Sequence, residues 1–342
     1  MALNVLDLEK PIAELEANIA ELKRLSEEEG ADRSEEILKL EEHRDRLMRQ
    51  IFSNLTPWDR TLIARHPSRP YTMDYVRVIF DDFVELHGDR LFADDKAIIG
   101  GPAFLDGKPI MLIGHQKGRD LKDRQFRNFG SAKPEGYRKA LRLMKMAEKF
   151  GHPIVSFVDT PAADCSFGSE ERGISEAIAR NMMEMAALKV PVIVIVIGEG
   201  GSGGAIGIAV GNRVLMQEHA IYSVIPPEGC AAILWRDATK GPEAAECLKL
   251  TAQNALEYGI IDEVIPEPLG GAHRDYEAAA AGVREAIVRN LSQLENLSPD
   301  RLVEQRYRKF RQMGVFTCAA DAGRSDETTA APSATGAAEA AK

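Results

Sequence analysis

The run Pro191-Val-Ile-Val-Ile-Val-Ile197 is apolar and β-branched without a break, and it stops at Gly198-Glu-Gly-Gly-Ser-Gly-Gly204. A strand facing water on one side alternates polar and apolar residues. This one does not, so it reads as a strand buried on both faces, in a sheet covered by helices above and below. Five glycines within seven residues then end it, and the small apolar run over 205–210 suits a short buried helix. Glycine lets a ligand approach the backbone and permits positive φ where the chain turns. A helix starting there points unpaired N–H groups and the positive end of its dipole at one place. That place suits a phosphate, a carboxylate or a developing oxyanion.

The flanking sequence supplies the rest of such a sheet. Two apolar runs over 97–105 and 109–113 flank Asp106-Gly107, a strong hairpin signal. From there the pattern alternates: helix 134–150, strand 153–158, helix 170–188, strand 190–197, the glycine turn, and strands 213–217 and 220–224. Helices over 228–235 and 242–258 follow, with Gly259 as a cap before a strand over 260–265, then helix 275–294 and a helical segment to about 312. Repeated strand–helix alternation predicts an α/β core with parallel strands. A helix over 72–86 precedes it. Upstream, Ile12, Leu15, Ile19 and Leu22 repeat at helical spacing, as do Ile37, Leu40, Leu47 and Ile51. Residues 1–55 therefore read as an antiparallel helical hairpin, either a solvated arm or a surface for a partner. The main domain spans 56–315, and the Ala-, Ser- and Thr-rich residues 316–342 read as a disordered tail.

Composition narrows the setting. A formal net charge of −10 argues against general nucleic-acid binding. Four scattered cysteines without a C-x-x-C pair exclude zinc-ribbon spacing and predict no metal in this chain. With no basic n-region ahead of an apolar stretch, and no apolar run near the roughly 18 residues of a membrane helix, a cytoplasmic protein is expected.

The glycine turn admits three chemistries. Gly198-Glu-Gly-Gly-Ser-Gly203 satisfies G-x-G-x-x-G, with Glu218 at ribose-binding separation, but the following helix is too short for a dinucleotide crossover. Gly200-Gly-Ser-Gly-Gly204 satisfies the G-x-S-x-G of a serine hydrolase, with Asp262 and His273 as triad partners, yet nothing local supplies a base. The third is an oxyanion hole built from backbone amides alone. A second strand end, Ser156-Phe-Val-Asp-Thr-Pro-Ala-Ala163, offers a facing wall.

Asp159-Thr-Pro161, Glu170-Glu-Arg-Gly173, Ser175-Glu-Ala-Ile-Ala-Arg-Asn181, Gly198-Glu-Gly-Gly-Ser-Gly-Gly-Ala205, Pro227-Glu-Gly-Cys230 and Ile265-Pro-Glu-Pro-Leu-Gly-Gly-Ala-His273 occur in this order. So do Pro11-Ile-Ala-Glu-Leu-Glu16, Ala64-Arg-His-Pro67, Arg69-Pro-Tyr-Thr72, Gly114-His-Gln-Lys-Gly-Arg119 and Pro134-Glu-Gly-Tyr-Arg-Lys-Ala-Leu-Arg142. Over roughly residues 1–315 the chain resembles the carboxyltransferase alpha subunits of multi-subunit bacterial acetyl-CoA carboxylase. The resemblance implies a crotonase-like fold of repeated ββα units. It implies an α2β2 assembly with a beta subunit, working with a biotin carboxyl carrier protein and an ATP-using biotin carboxylase. It also implies transfer of a carboxyl group from carboxybiotin to acetyl-CoA, giving malonyl-CoA for fatty acid synthesis. Carried over by motif, the amides of Gly203 and Gly204 stabilise the ureido oxyanion of biotin, whose N1′ takes the substrate proton. Gly200, Gly201, Ala162 and Ala163 line the substrate, joined by Lys117 and Arg119. The chain departs from the family's Asp-Thr-Pro-Gly-Ala-Tyr-Pro-Gly at Ala162, Asp164, Cys165 and Ser166. If Ala162 must be left-handed, the strain is about 1 kcal/mol or more. An impaired or substrate-shifted scaffold subunit is the alternative function, and a hydrolase using Ser202 a remoter one.

Eleven Lys or Arg against four acids between His115 and Lys149 suggest a basic rim for CoA phosphates or an acidic carrier domain. Cys230 and Met182, Met183 and Met185 read as core filler, and His115 as a satisfied structural histidine.

Overall fold

The computed structural model describes residues 5–30 and 32–314, so the tail expected over 316–342 lies outside the described residues. Its centre is a seven-stranded sheet ordered β1-β2-β3-β4-β5-β7, with β6 added beside β4. Strands β1 (Ile98–Leu105) and β2 (Lys108–His115) form the expected antiparallel hairpin. Both turn residues, Asp106 (φ 52) and Gly107 (φ 75), have the positive φ of a tight hairpin turn. Strands β3 (Ile154–Thr160), β4 (Val192–Gly201), β5 (Arg213–Gln217) and β7 (Glu263–Ile265) run parallel to β2. The short β6 (Ile221–Ser223) takes over the edge of β4 beyond β5, pairing with Glu199, Gly200 and Gly201.

The lack of alternation in β4 has the expected cause. Val192, Val194 and Val196 face one core, with Leu143 and Met144 of helix Pro134–Phe150 and Met185 of helix Ile174–Ala187. Ile193, Ile195 and Ile197 face a second core, with Tyr75 of helix Thr72–Ile79 and Val283 and Ile287 of helix Tyr276–Leu294. All six strand residues are fully buried. Each contributes about 1.5–3 kcal/mol of hydrophobic stabilisation.

Three expected helices are shorter than their periodicity. The helix over 72–86 ends at Ile79, because Asp81, Val84 and Leu86 instead donate to Phe104, Pro102 and Gly100 along the edge of β1. Gly101 permits this contact, since a Cβ there would lie 1.8 Å from the Val84 carbonyl oxygen. The helix over 170–188 divides at Gly173 (φ 77), and the one over 242–258 at Lys249 (φ 51), after which Thr251 caps a new helix, Ala252–Glu257. Apolar spacing continues through each break, so the pattern alone hides it. The short helix after the glycine turn is Ser202–Ile206, and no helix among the described residues is long and apolar enough to cross a membrane.

Helices Lys10–Glu29 and Ser34–Phe52 pair with each other, and Ile12, Met48 and Phe52 pack on Ile63 of the next helix. A buried polar cluster sits beside that contact. Glu9 bonds His273 Nε2 (2.9 Å), and His66 stacks on His273 with ring centroids 4.1 Å apart. These three residues have ligand-like spacing, but His66 Nδ1 accepts from the Ser68 amide (3.1 Å) and Arg274 lies on Glu9 (3.3 Å). A metal-bound histidine instead donates through its second nitrogen, so the cluster suits an ion-paired latch. Burial opposes the charge on Glu9, yet His273, the Leu6 amide and Arg274 outweigh it and bring its pKa down to about 2. Its stabilising effect is complete above the ordinary carboxylate range and is lost as pH falls towards 2. Discounted for solvent, it is about 2 kcal/mol. Acidification from pH 5 to 2 is expected to lower the amide protection, measured relative to intrinsic exchange at each pH, of helices Lys10–Glu29 and Ser34–Phe52 before that of the sheet, and Glu9→Gln should remove most of that pH dependence. Simultaneous exchange of both regions would contradict it.

Candidate functional site

The ends of β3 and β4 meet at the glycine turn. Their register breaks between Val158 and Thr160, where Thr160 comes to pair with Gly200. Such an irregularity re-aims a side chain. Here Asp159 Oδ1 accepts from the Glu199 amide (2.9 Å), and a Cβ on Gly198 would lie 2.4 Å from that same oxygen. A Cβ on Gly201 would lie 1.9 Å from the Pro161 carbonyl oxygen, and one on Gly204 2.5 Å from the Ala163 nitrogen. One on Gly200 would meet the Tyr222 ring at 2.6 Å. Gly201 and Gly204 let two backbones touch, while Gly198 and Gly200 make room for the Asp159 carboxylate and the Tyr222 ring. Gly203 differs, because a Cβ there would meet only Ile178, at 3.5 Å.

Ser202 turns the strand into helix Ser202–Ile206 with φ 50. The amides of Ser202, Gly203 and Gly204 fall in its first turn and have no intrahelical acceptor. Behind them, Tyr137 donates its hydroxyl to the Gly204 carbonyl (3.2 Å), Asn181 donates to Gly207 (3.0 Å) and Ser156 to Ile208 (2.7 Å). The facing loop is also fixed. The Thr160 hydroxyl sits between the carbonyls of Gly130 (2.7 Å) and Ala162 (2.8 Å), and the Asp164 amide donates to Ala132 (2.9 Å). Ala162 is not among the residues with positive φ, so the strain considered for it does not arise. The charge of Asp164 stays local, accepting from Ser166 (2.5 Å), Ser169 (2.5 Å) and Asn128 (3.2 Å).

Beneath the turn lies a chain of ion pairs. Lys117 Nζ contacts Asp159 (2.7 Å) and Glu199 (2.8 Å); Arg65 contacts Glu199 (2.6 Å) and Glu228 (2.5 Å). Burial works against the Lys117 charge, but the two carboxylates outweigh it and hold the ammonium well above the ordinary lysine value. Burial likewise opposes ionised Glu199, and Lys117 with Arg65 keeps its pKa below normal. Both partners are thus charged at neutral pH. Next to them His115 is fully buried, with the backbone of Gly204 and Phe157 beside its ring. Burial, with Lys117 nearby, brings its pKa down to about 3, so the ring is neutral.

The structure therefore brings together Gly200, Gly201, Gly203, Gly204, Ala162 and Ala163 as the sequence suggested. It places Lys117 under the turn rather than on a rim, with its charge spent on Asp159 and Glu199. Arg119 lies apart, stacked 4.0 Å from the Tyr71 ring centre, bonded to the Pro67 and Arg69 carbonyls and paired with Asp74. Much of the expected basic rim is similarly consumed. Lys139 pairs with Asp94, Arg138 with Asp89 and Glu135, and Lys145 with Glu148 and Glu184. Sequence reading missed Arg65, Glu199 and Tyr137 as parts of the site. Glu199 carried a signal, being a lone acid inside an otherwise apolar, buried strand end.

The competing chemistries lose their residues. His273 is bonded to Glu9, and Asp262 accepts from the Val214 amide (2.6 Å) and pairs with Lys309; neither is hydrogen-bonded to Ser202. The helix after the turn has five residues, too short for a dinucleotide crossover. Cys230 is half-buried and Met183 is 58% exposed, so neither is the core filler expected; Met185 is.

Residues 5–314 match the family described as acetyl co-enzyme A carboxylase carboxyltransferase-like. The chain belongs to this family. It is 59% identical to the acetyl-coenzyme A carboxylase carboxyl transferase subunit alpha of Geobacter metallireducens, over 91% of this chain and 98% of that protein. It is 60% identical to the protein of the same name from Syntrophotalea carbinolica, over 90% and 97%. Among solved structures it resembles transcarboxylase 12S (TM-score 0.54, 18% identity), matching 66% of this chain and 42% of that one. It also resembles the Pseudomonas malonate decarboxylase MdcD–MdcE heterodimer (TM-score 0.52, 16% identity), over 63% and 88%. The fold is the expected crotonase-like α/β architecture. Neither the family nor these relatives lends support to a hydrolase or a dinucleotide-binding protein.

Removing Lys117 leaves two buried carboxylates without their shared cation. Lys117→Met is expected to destabilise by about 3–5 kcal/mol. Denaturant unfolding checks this, and Lys117→Met combined with Asp159→Asn should lose less than the sum of the single changes. A near-neutral Lys117→Met would show that the pair is not holding the strand ends.

Proposed function

We propose that this chain is the alpha half of a biotin-dependent carboxyltransferase, moving a carboxyl group from carboxybiotin on a separate carrier protein to acetyl-CoA and yielding malonyl-CoA. It works with a beta subunit in an α2β2 assembly, and ATP is consumed only by a separate biotin carboxylase. The observation that carries this reading is the glycine turn at the end of β4. Its first-turn amides converge beside Gly203, where the backbone is not closed over by a neighbouring chain.

Carboxybiotin, when bound, supplies a transferable carboxyl group and a ureido oxygen on which negative charge grows as that group leaves. The residues here fit that demand. Gly203 and Gly204 offer N–H donors at the positive end of a helix, and one such donor is worth about 3–4 kcal/mol in a transition state. Lys117 and Arg65 neutralise Glu199, the acid embedded in the turn, so no free carboxylate opposes an anion there. Tyr137 fixes the Gly204 carbonyl and with it the tilt of the next peptide. Ala162 and Ala163 close the opposite wall against Gly204. Lys117 acts as a support through Asp159 and Glu199 and not as a ligand, and Arg119 is committed to Asp74 and the Pro67 and Arg69 carbonyls away from the turn. Helix Pro227–Trp235 leaves Ile233 and Leu234 exposed at 72% and 62%, an apolar face for the beta subunit to cover. An impaired paralogue gains no support, since Ala162 lies outside the left-handed region and Asp164 is hydrogen-bonded locally.

The test is biotin-dependent decarboxylation of malonyl-CoA by the chain copurified with a beta subunit. Gly204→Ala is expected to lower turnover at least 100-fold, because its Cβ has no room against Ala163. Tyr137→Phe should lower kcat several-fold with little change in KM for malonyl-CoA. Ser202→Gly, which keeps the positive φ and deletes the hydroxyl, should retain most activity. No turnover by the correctly assembled wild type would reject the proposal, and loss of activity in Ser202→Gly would return attention to the hydroxyl.

A further inference from the structure

The opposite end of the sheet holds a cleft of about 580 Å3, within the range of small-molecule sites. It opens where the β1–β2 turn, the entry to β3 and the entry to β4 come together beneath the end of helix Tyr276–Leu294. Strand β4 has ten residues, so at about 3.3 Å per residue the cleft lies roughly 30 Å from the glycine turn. The two are separate sites.

Its floor is hydrocarbon. Ile110, Leu291, Leu294 and Leu302 are at most 5% exposed and line it from below, and Val288, 36% exposed, forms a wall. Its backbone offers little to a peptide. Pro153 and Pro191 precede β3 and β4 and have no N–H, while their carbonyls already accept from Met111 (2.9 Å) and Ile154 (2.8 Å). An incoming strand would find no ladder to extend there. The rim carries both signs, Lys108 and Lys189 against Asp106 and Glu295, and Asp106 is neutralised by Arg284. Lys108 pairs with Glu295 (2.7 Å), whereas the exposed Lys189 has no ion-pair partner among the described residues and stands at the mouth. Its backbone is held in place by a bond from its amide to Glu148 (2.9 Å).

A deep apolar slot with one uncommitted ammonium at its edge selects a ligand with a hydrocarbon tail and a single anionic head. We propose that this cleft binds a soluble single-chain anionic amphiphile, a fatty carboxylate or an alkyl sulfate, with its tail on Leu291 and Leu294 and its head at Lys189. Chain length then sets affinity, each added methylene tightening binding roughly fourfold until the slot is full.

The experiment is calorimetric titration of the full chain with decyl sulfate and decanoate below their micelle-forming concentrations, with decyltrimethylammonium as the control of equal tail length. One saturable site per chain is expected, at least tenfold tighter for the two anions than for the cation. Lys189→Glu should remove that preference. Val288→Glu, which puts a charge on an already exposed helix position, should abolish binding of all three while leaving the unfolding midpoint unchanged. Equal affinity for anionic and cationic heads, uptake of several molecules without saturation, or unchanged binding in Val288→Glu would overturn the proposal. Cosedimentation with phosphatidylglycerol vesicles in the absence of saturable monomer binding would also overturn it, assigning the cleft to a membrane surface.

Discussion

One buried ammonium, that of Lys117, lies between the ends of two strands, and much of the site depends on it. Asp159 and Glu199 come from β3 and β4, and both would repel each other and lose hydration if left alone in that space. Lys117 lets both stay ionised, and Arg65 extends the pairing from Glu199 to Glu228 on helix Pro227–Trp235. A buried ion pair is weak evidence of stability in general, because desolvation offsets its attraction. Here its consequence is geometric. It fixes the carboxylate of Asp159 on the Glu199 amide and so fixes where the glycine turn begins.

Backbone proximity follows from that fixed start. Gly201 lies against Pro161, Gly204 against Ala163, and Gly200 against Tyr222, each too close for a side chain. With one side of β4 held by β3 and the other by β6, the turn has no freedom to open. Amides held this rigidly need little reorganisation when charge develops beside them, which is the physical basis of oxyanion stabilisation. Gly203 is the exception in the row, since a Cβ there would meet only the Ile178 side chain, at 3.5 Å.

The sheet was legible from the sequence because its signals are local. An unbroken apolar run marked β4, an apolar run interrupted only by Ser156 marked the start of β3, and Asp106-Gly107 marked the first hairpin. The glycine turn was legible for the same reason, together with the walls at Ala162 and Ala163. The ion pairs were not, because they join residues far apart in the chain: Arg65 and Glu199 are 134 positions apart, Lys117 and Glu199 82. Charge density over 115–149 therefore looked like a surface for ligands, whereas Lys139, Arg138 and Lys145 meet internal acids. Helix breaks at Gly173 and Lys249 were hidden by apolar spacing that carries on across them. The doubt over Ala162 came from its departure from the family's glycine at that position, and the observed backbone removes it.

What decides the account is whether the Gly203 and Gly204 amides meet an anion. A crystal structure of the chain with its beta subunit and bound biotin answers this directly. The ureido oxygen is expected within about 3.1 Å of both amide nitrogens, the range of an effective oxyanion donor. A ureido oxygen held by a side chain instead, with both amides left to water, would contradict the central claim.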